Sequence, residues 1–171
     1  IDYASGGNGS PQHIAMEVFA ARTNLKFNHV PYRGATQAAL DVVGGQIPVM
    51  FTATSIVLGN IRDGKVRALG VGSAKRSDLL PNVPTIAEAG VPGYEISTWY
   101  GIWAPARTPP AIINRLQQAV AAAARNPETR ARFDALGAEP VADSPEDYAR
   151  FVRAEYDRWG KLVRDARIKL D

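Results

Sequence analysis

The sequence contains no cysteine among its 171 residues, which excludes disulfide bonds and thiolate metal sites. Its two histidines, His13 and His29, are not accompanied by Asp or Glu residues at the spacing of metal ligands, so no metal site is predicted. Nucleophile-elbow, phosphate-loop and paired-carboxylate patterns are also absent. The sequence therefore predicts neither catalytic residues nor a cofactor, and we do not expect an enzyme.

Long apolar runs and charge clusters are also missing. No segment approaches the roughly 18 apolar residues of a membrane span. The 20 Lys and Arg residues exceed the 17 Asp and Glu residues by a net charge of +3, and they are scattered along the chain. Because nucleic-acid binders concentrate positive charge in a patch, that class is excluded, and the small excess suits a small anionic ligand. The composition, 46% apolar and 22% charged, is typical of a globular protein.

The first half of the sequence alternates short apolar runs with helical patterns. Such alternation in short units predicts an α/β fold with a parallel sheet flanked by helices. Ser10 followed by Pro11 is a strong helix start, and Gly44 with Gly45 ends the second helix. The predicted strands are residues 1–5, 25–31, 49–51 and 66–73, and the predicted helices are residues 11–23, 34–43 and 54–64, the last one capped by Thr54 or Ser55.

The second half has one predicted strand and several helices. A short helix at residues 86–89 precedes a Pro- and Gly-rich boundary at residues 91–94, which divides the chain into residues 1–96 and 97–171. The predicted later elements are a strand at residues 96–104 and helices at residues 110–125, 128–136 and from 145 onward. A single strand leaves its backbone groups unpaired. We therefore expect residues 97–171 to complete a second domain whose other strands lie in a missing upstream segment.

That expectation agrees with the start of the sequence, which shows neither an initiator Met nor a signal peptide. An unpaired sheet edge is a template for pairing, so we also expect a homodimer or a swapped assembly.

Three strand-to-helix junctions provide the candidate binding residues. Glycines at such a junction let successive backbone N–H groups point to one place, and the helix dipole favours an anion there. The ends of parallel strands meet at one edge of a sheet, which is where ligands bind in open α/β sheets. The candidates are Ser5, Gly6, Gly7, Asn8, Gly9 and Ser10 at the first junction, Tyr32, Arg33, Gly34 and Ala35 at the second, Thr52 and Ala53 at the third, and Trp99 and Tyr100 beyond the boundary.

Each candidate also has a structural interpretation. The first junction is compatible with a plain capped turn, and Arg33 with a solvated surface charge. Trp99 and Tyr100 are compatible with ordinary core aromatics. His13 is expected on the surface of the first helix, and His29 is expected to be packed within a strand.

A different class of function is an oxidoreductase domain that binds NADP in a Rossmann-like fold. Gly7 and Gly9 follow a strand, and Arg33 ends the next strand, where such enzymes bind the 2′-phosphate. However, Gln12 stands where the third glycine of the fingerprint belongs, and Pro11 is foreign to that pattern. A third alternative is an interaction domain without a ligand.

Ordered motifs along nearly the whole chain resemble the receptors of tripartite tricarboxylate transporters, which are Bug-type periplasmic binding proteins. The motifs are YASGGNGS at residues 3–10, HVPYRG at 29–34, GKVRAL at 64–69, SAKRS at 73–77, LPNVPT at 80–85, EAGVPGY at 88–94 and LGAEPV at 136–141.

The resemblance implies a periplasmic binding protein fold of type II-like architecture with a cleft between two domains, of which the second one is incomplete here. It implies a periplasmic receptor that captures a small carboxylate, either a dicarboxylate or an aromatic acid, and delivers it to two membrane subunits of the transporter. Residues 5–10 and 32–35 would hold one end of the ligand. Many members carry Asp where this sequence has Thr52, and this departure favours a purely anionic or aromatic acid.

Overall fold

Three parallel strands, each followed by a helix, form the first part of the chain. The computed structural model describes residues 1–165, and within them the strands are β1 (Asp2–Ser5), β2 (Asn28–Pro31) and β3 (Val49–Met50). The strand order is β2-β1-β3, and β1 pairs in parallel with both neighbours, with Ser5 opposite Pro31 and Ala4 opposite Met50. The predicted α/β class with a parallel sheet and flanking helices is confirmed.

The helices that follow these strands begin and end through local chemistry. They are α1 (Pro11–Thr23), α2 (Ala35–Val43) and α3 (Thr54–Arg62). Ser10 caps α1 by accepting the His13 N–H at 3.3 Å, as predicted. At the other end of α1, Asn24 takes a left-handed conformation and the Leu25 N–H bonds back to Ala20 O at 3.2 Å. Because this turn follows α1, β2 begins only at Asn28, and the predicted strand start at residue 25 was too early.

A small aromatic and aliphatic core lies between α1 and the segments after α3. Val18, Ile86 and Tyr94 form its buried centre, and the phenol of Tyr94 donates to the backbone oxygen of Ala15 at 2.9 Å. The surrounding partly buried apolar side chains are Ile14, Phe19, Phe51, Val91, Ile96 and Leu162. Burial of side chains of this size stabilises the fold by about 1.5–3 kcal/mol each.

The prediction of a fourth strand at residues 66–73 was wrong. The segment makes a single bridge, between Val71 and Thr85, and the Ile96 N–H donates to Gly72 O at 2.8 Å. A Cβ on Gly72 would lie 2.5 Å from the Ile96 oxygen. The glycine therefore permits a close crossing of two backbones here instead of a regular ladder.

Two further predicted elements are absent from the described residues. Residues 86–89 form a turn rather than a helix, because Thr85 and Glu88 close a single turn through reciprocal hydrogen bonds of 2.8 and 3.1 Å and Gly90 follows. Residues 96–104 form no strand, because within residues 1–165 no neighbouring strand pairs with them.

The chain divides into two compact units. One comprises Ile1–Thr98 and the chain from Leu162, and the other comprises Trp99–Lys161. The second unit contains α4 (Pro110–Arg125), α5 (Pro127–Leu136) and most of α6 (Pro145–Asp165). These helices agree with the predicted ones. Among the described residues, no helix combines the length and apolarity needed to cross a membrane.

Candidate functional site

The three strand-to-helix junctions meet at one edge of the sheet, which we call the carboxyl edge. Because all three strands run parallel, their carboxyl ends and the N-termini of α1, α2 and α3 share this edge. The first two junctions touch directly: a Cβ on Gly6 would lie 3.1 Å from Ala35 N, and one on Gly7 would lie 3.1 Å from Tyr32 O. Gly7 also has φ +122°, which side-chain-bearing residues rarely adopt. Glycine is therefore required where the loops make contact.

Residues 6–10, which we call the glycine loop, are held by their own hydrogen bonds. The Ser10 N–H donates to Gly7 O at 3.1 Å, and the Gly7 N–H donates to Ser5 Oγ at 3.1 Å. The Gly9 N–H donates to His13 Nδ1 at 3.1 Å. Ser5 is 0% exposed, so in this conformation its hydroxyl serves the loop and does not face solvent. Direct ligand contact by Ser5 remains a prediction.

The N-termini of α2 and α3 lack side-chain caps. Their N-caps are Gly34, at φ +136°, and Ala53, and neither residue makes a side-chain cap hydrogen bond. The prediction that Thr54 or Ser55 caps the third helix was therefore wrong. First-turn N–H groups that lack a side-chain cap and the positive end of the helix dipole favour an anion.

Thr52 adds a polar group at the same edge. It lies between β3 and α3, and its Oγ1 is buried without a hydrogen-bond partner among the described residues. An unsatisfied buried hydroxyl costs about 1–3 kcal/mol. In a sheet of order 2-1-3, the chain switches direction between β1 and β3, and ligands bind at that point. Ligand contact by the Thr52 hydroxyl remains a prediction.

The polar side chains of the second junction, Tyr32 and Arg33, make no hydrogen bond to the glycine loop within the described residues. The phenol of Tyr32 donates to Asp41 Oδ2 at 2.6 Å, and this hydrogen bond raises the pKa of Tyr32 above its ordinary value. The side chain of Arg33 is exposed. The backbone around Gly34 and Ala35, rather than the phenol, is the part of this junction that faces the glycine loop. Ligand contact by Tyr32 and Arg33 remains a prediction.

Trp99 and Tyr100 belong to the second unit. The Trp99 indole donates to Glu155 Oε2 at 3.0 Å, and Trp159 donates to the same oxygen at 2.9 Å. Burial acts to raise the pKa of Glu155, but hydrogen bonds from Arg158, Trp159 and Trp99 hold it below its ordinary value. Tyr100 is 85% exposed. Trp99 therefore has a structural partner within its unit, and ligand contact by either aromatic residue remains a prediction.

His13 has a structural role that the sequence alone does not indicate. It is 6% exposed, and not on the surface as expected, because its ring stacks on that of His29 with centroids 4.1 Å apart and planes 4° apart. His29 in turn stacks on Tyr3 at 4.9 Å. Burial lowers the pKa of both histidines. The β1–β2 register sets Tyr3 opposite His29, whereas the contact of His13 with His29 depends on how α1 packs on the sheet.

Ser5 Oγ lies 2.5 Å from His29 Nε2, a contact that resembles the hydroxyl and base of a nucleophilic enzyme. A nucleophile must reach its substrate, and Ser5 is fully buried with its oxygen already bonded to the Gly7 N–H. The contact therefore supports the loop and does not favour catalysis.

Nearly the whole sequence matches a known family. The Tripartite tricarboxylate transporter family receptor profile, TctC, covers residues 1–168. The chain belongs to this receptor family. The protein of the tcbD-tcbE intergenic region of a Pseudomonas species is 39% identical over 98% of this chain and 50% of its own length. BugT of Bordetella pertussis is 35% identical over 99% of this chain and 52% of its own length. The receptor chain thus spans about half the length of these curated relatives.

Solved structures agree with this assignment. An R. palustris protein solved with adipate is 35% identical and superposes on 98% of the receptor chain, which covers 56% of that protein, with a TM-score of 0.93. The periplasmic binding protein BugD is 30% identical, with coverages of 99% and 57% and a TM-score of 0.91. MatC of Rhodopseudomonas palustris with bound malate is 30% identical, with coverages of 95% and 56% and a TM-score of 0.85. The periplasmic binding protein fold that the resemblance implied is confirmed.

Proposed function

We propose that this chain is the ligand-capturing part of a periplasmic solute-binding receptor and that it binds a small carboxylate at the carboxyl edge. The proposal assigns residues 1–96 to the ligand-binding domain and residues 97–171 to the returning part of the receptor's other domain. The partners would be the membrane subunits of a tripartite transporter, and no reaction would be catalysed. Family membership and the adipate- and malate-bound neighbours support this function.

The observation behind the proposal is the set of donors at the carboxyl edge. Two helices, α2 and α3, start there without a side-chain cap hydrogen bond. The Thr52 hydroxyl between β3 and α3 has no hydrogen-bond partner among the described residues. Donors of this kind suit a carboxylate, because hydrogen bonds to a charged group contribute about 1.5–3 kcal/mol each. A dicarboxylate or an aromatic acid is the proposed ligand class. Thr52 carries no charge and would not attract a cationic group.

Binding would act through an open–closed equilibrium. A ligand shifts such an equilibrium only by its difference in affinity between the two states. A carboxylate held at the carboxyl edge by one domain gains further contacts when a second domain closes over it, and this difference drives closure. The backbone donors at the carboxyl edge would therefore make the ligand contacts that exist before the second domain closes.

A thermal-shift panel of adipate, malate, a monocarboxylate, an aromatic acid and NADP tests the proposal. A saturable rise of the melting temperature with a carboxylate supports it, whereas a rise with NADP alone contradicts it and favours the oxidoreductase alternative. The Gln12 side chain argues against that alternative, because its Oε1 would lie 3.3 Å from a Cβ on Gly6 and therefore fills the space next to the loop.

A matched pair of variants localises the donors. Thr54 is the first residue of α3, and Ala53 before it has φ −65° and ψ 135°, which a following proline accepts. Thr54→Pro removes one backbone N–H and leaves the helix intact, whereas Thr54→Ala removes the hydroxyl and keeps the N–H. We expect the proline variant alone to lose the carboxylate response. A proline variant that responds as strongly as the alanine variant and the wild type would exclude the α3 terminus from the site.

A further inference from the structure

A stack of three rings lies under the glycine loop. It consists of Tyr3 on β1, His29 on β2 and His13 on α1, with centroid separations of 4.9 and 4.1 Å. Both histidines contact the loop's own anchoring groups: His13 Nδ1 accepts the Gly9 N–H at 3.1 Å, and His29 Nε2 lies 2.5 Å from Ser5 Oγ. Ser5 Oγ also accepts the Gly7 N–H at 3.1 Å. Two loop amides are thus anchored, directly or through Ser5, to imidazoles.

We infer that His13 and His29 are positioning residues that hold the glycine loop in its binding shape through neutral imidazole rings. This inference rests on the proposed function, because the loop borders the proposed carboxylate site. Neither histidine needs to touch the ligand. Their effect on affinity would be indirect, through the direction of the loop's N–H groups.

The chemistry of His13 fixes its charge state. Nδ1 accepts the Gly9 N–H, so it carries no proton, and the ring proton resides on Nε2. Protonation of Nδ1 would place one N–H against another and would break this hydrogen bond. The loop would then lose one anchor while keeping its sequence and its other bonds.

The groups that surround the two imidazole rings have opposite effects on the protonation of the histidines. Glu17 on α1 accepts the Tyr3 phenol at 2.6 Å, and its carboxylate favours protonated histidines. Burial disfavours the protonated form of both rings, and protonation of His13 would further disfavour a charge on His29. Tyr3 stays neutral, since burial raises its pKa well above the ordinary range. On the other neighbouring elements, Asp2 of β1 is bonded to Asn28 and Asp41 of α2 to Tyr32.

The first test compares wild type with His13→Asn and His13→Leu. The Asn side-chain oxygen can replace Nδ1 as the acceptor but cannot become a cation in this pH range, and Leu has a similar volume without an acceptor. The readouts are the NMR shift and hydrogen exchange of the Gly9 amide from about pH 5 to 7.5 and the affinity for adipate. The ionisation of free adipate changes with pH in the same way in all three experiments. The ratio of the wild-type affinity to that of the Asn variant at each pH therefore reports the effect of the His13 side chain alone.

In the wild type we expect the NMR shift of the Gly9 amide to change with pH together with the His13 ring. In the His13→Asn variant we expect this shift to be independent of pH. The Leu variant should exchange the Gly9 amide faster and bind adipate about fivefold more weakly at neutral pH, the effect of losing one hydrogen bond. The wild type should lose affinity relative to the Asn variant as pH falls. The inference would be overturned if the Gly9 amide shift did not follow the titration of His13. It would also be overturned if the adipate affinity of the wild type rose relative to that of the His13→Asn variant as the pH fell.

His29→Gln provides an independent variant, because its amide can reach Ser5 Oγ as Nε2 does. It should keep the Gly7 amide protected from exchange, whereas His29→Leu should not. The amide readouts need no ligand. If no carboxylate binds even to the wild type, the proposed function fails, and the Gly9 and Gly7 amides still decide whether the histidines anchor the loop.

Discussion

Thr52→Val is expected to stabilise the ligand-free chain while weakening the binding of a carboxylate. The substitution replaces the hydroxyl by a methyl group and keeps the branched shape of the side chain. Oγ1 is buried without a partner among the described residues, and a buried unpaired hydroxyl costs about 1–3 kcal/mol. Because the Thr52 side chain as a whole is only half-buried, we take the lower end. The free energy of unfolding should rise by about 1 kcal/mol, or about 2–4 °C in Tm for a chain of this size.

Binding should change in the opposite direction. A hydrogen bond from Thr52 to a carboxylate would contribute about 1.5–3 kcal/mol, and 1.4 kcal/mol corresponds to a factor of about ten in Kd. The valine variant should therefore bind adipate or malate at least about tenfold more weakly. Thr52→Ser is the matched control, because it keeps the hydroxyl and loses only the methyl group.

Thermal denaturation without ligand and calorimetric titration with ligand measure the two effects separately. The opposite signs make the test specific, since general damage to the fold lowers both stability and affinity. A valine variant that melts earlier and binds as tightly as wild type would refute the reasoning about Thr52.

Three other predictions concern stability and assembly. Glu155→Gln should lower the free energy of unfolding by about 1–2 kcal/mol in urea titrations, because the donors of Trp99, Trp159 and Arg158 lose a charged acceptor; unchanged stability would contradict this. The lowered pKa values of His13 and His29 mean that the unfolded chain binds more protons below the ordinary value of 6.5, so stability is fully present above that pH and falls as pH drops through it. The double variant His13→Asn, His29→Gln should flatten this dependence, and an equally steep curve would contradict it. Light scattering is expected to detect a dimer or swapped assembly of this chain, and a monodisperse monomer would contradict that expectation.

Elements set by local chemistry could be predicted from the sequence. Ser10 before Pro11 and Ser144 before Pro145 place a capping oxygen ahead of a proline at the first helical position, and α1 and α6 begin there. The carboxyl edge was also predictable, because alternating strands and helices imply parallel strands whose ends coincide.

Features set by distant contacts could not be predicted in the same way. The segment at residues 66–73 has a strand-like pattern, yet Gly72 lets it cross the Ile96 backbone too closely for a ladder. The burial of His13 depends on stacking with His29, which the sequence does not pair with it. The missing partner of the Thr52 hydroxyl is a property of the packed fold and has no local signature.

Amide-resolved NMR titration of the wild-type chain with adipate tests the central proposal most directly. We expect adipate to produce saturable shifts confined to the amides of the glycine loop, of Gly34 and Ala35, and of residues 52–54, and we expect NADP to produce none of them. Shifts confined to Trp99–Lys161, or shifts produced by NADP and not by any carboxylate, would contradict a carboxylate site at the carboxyl edge.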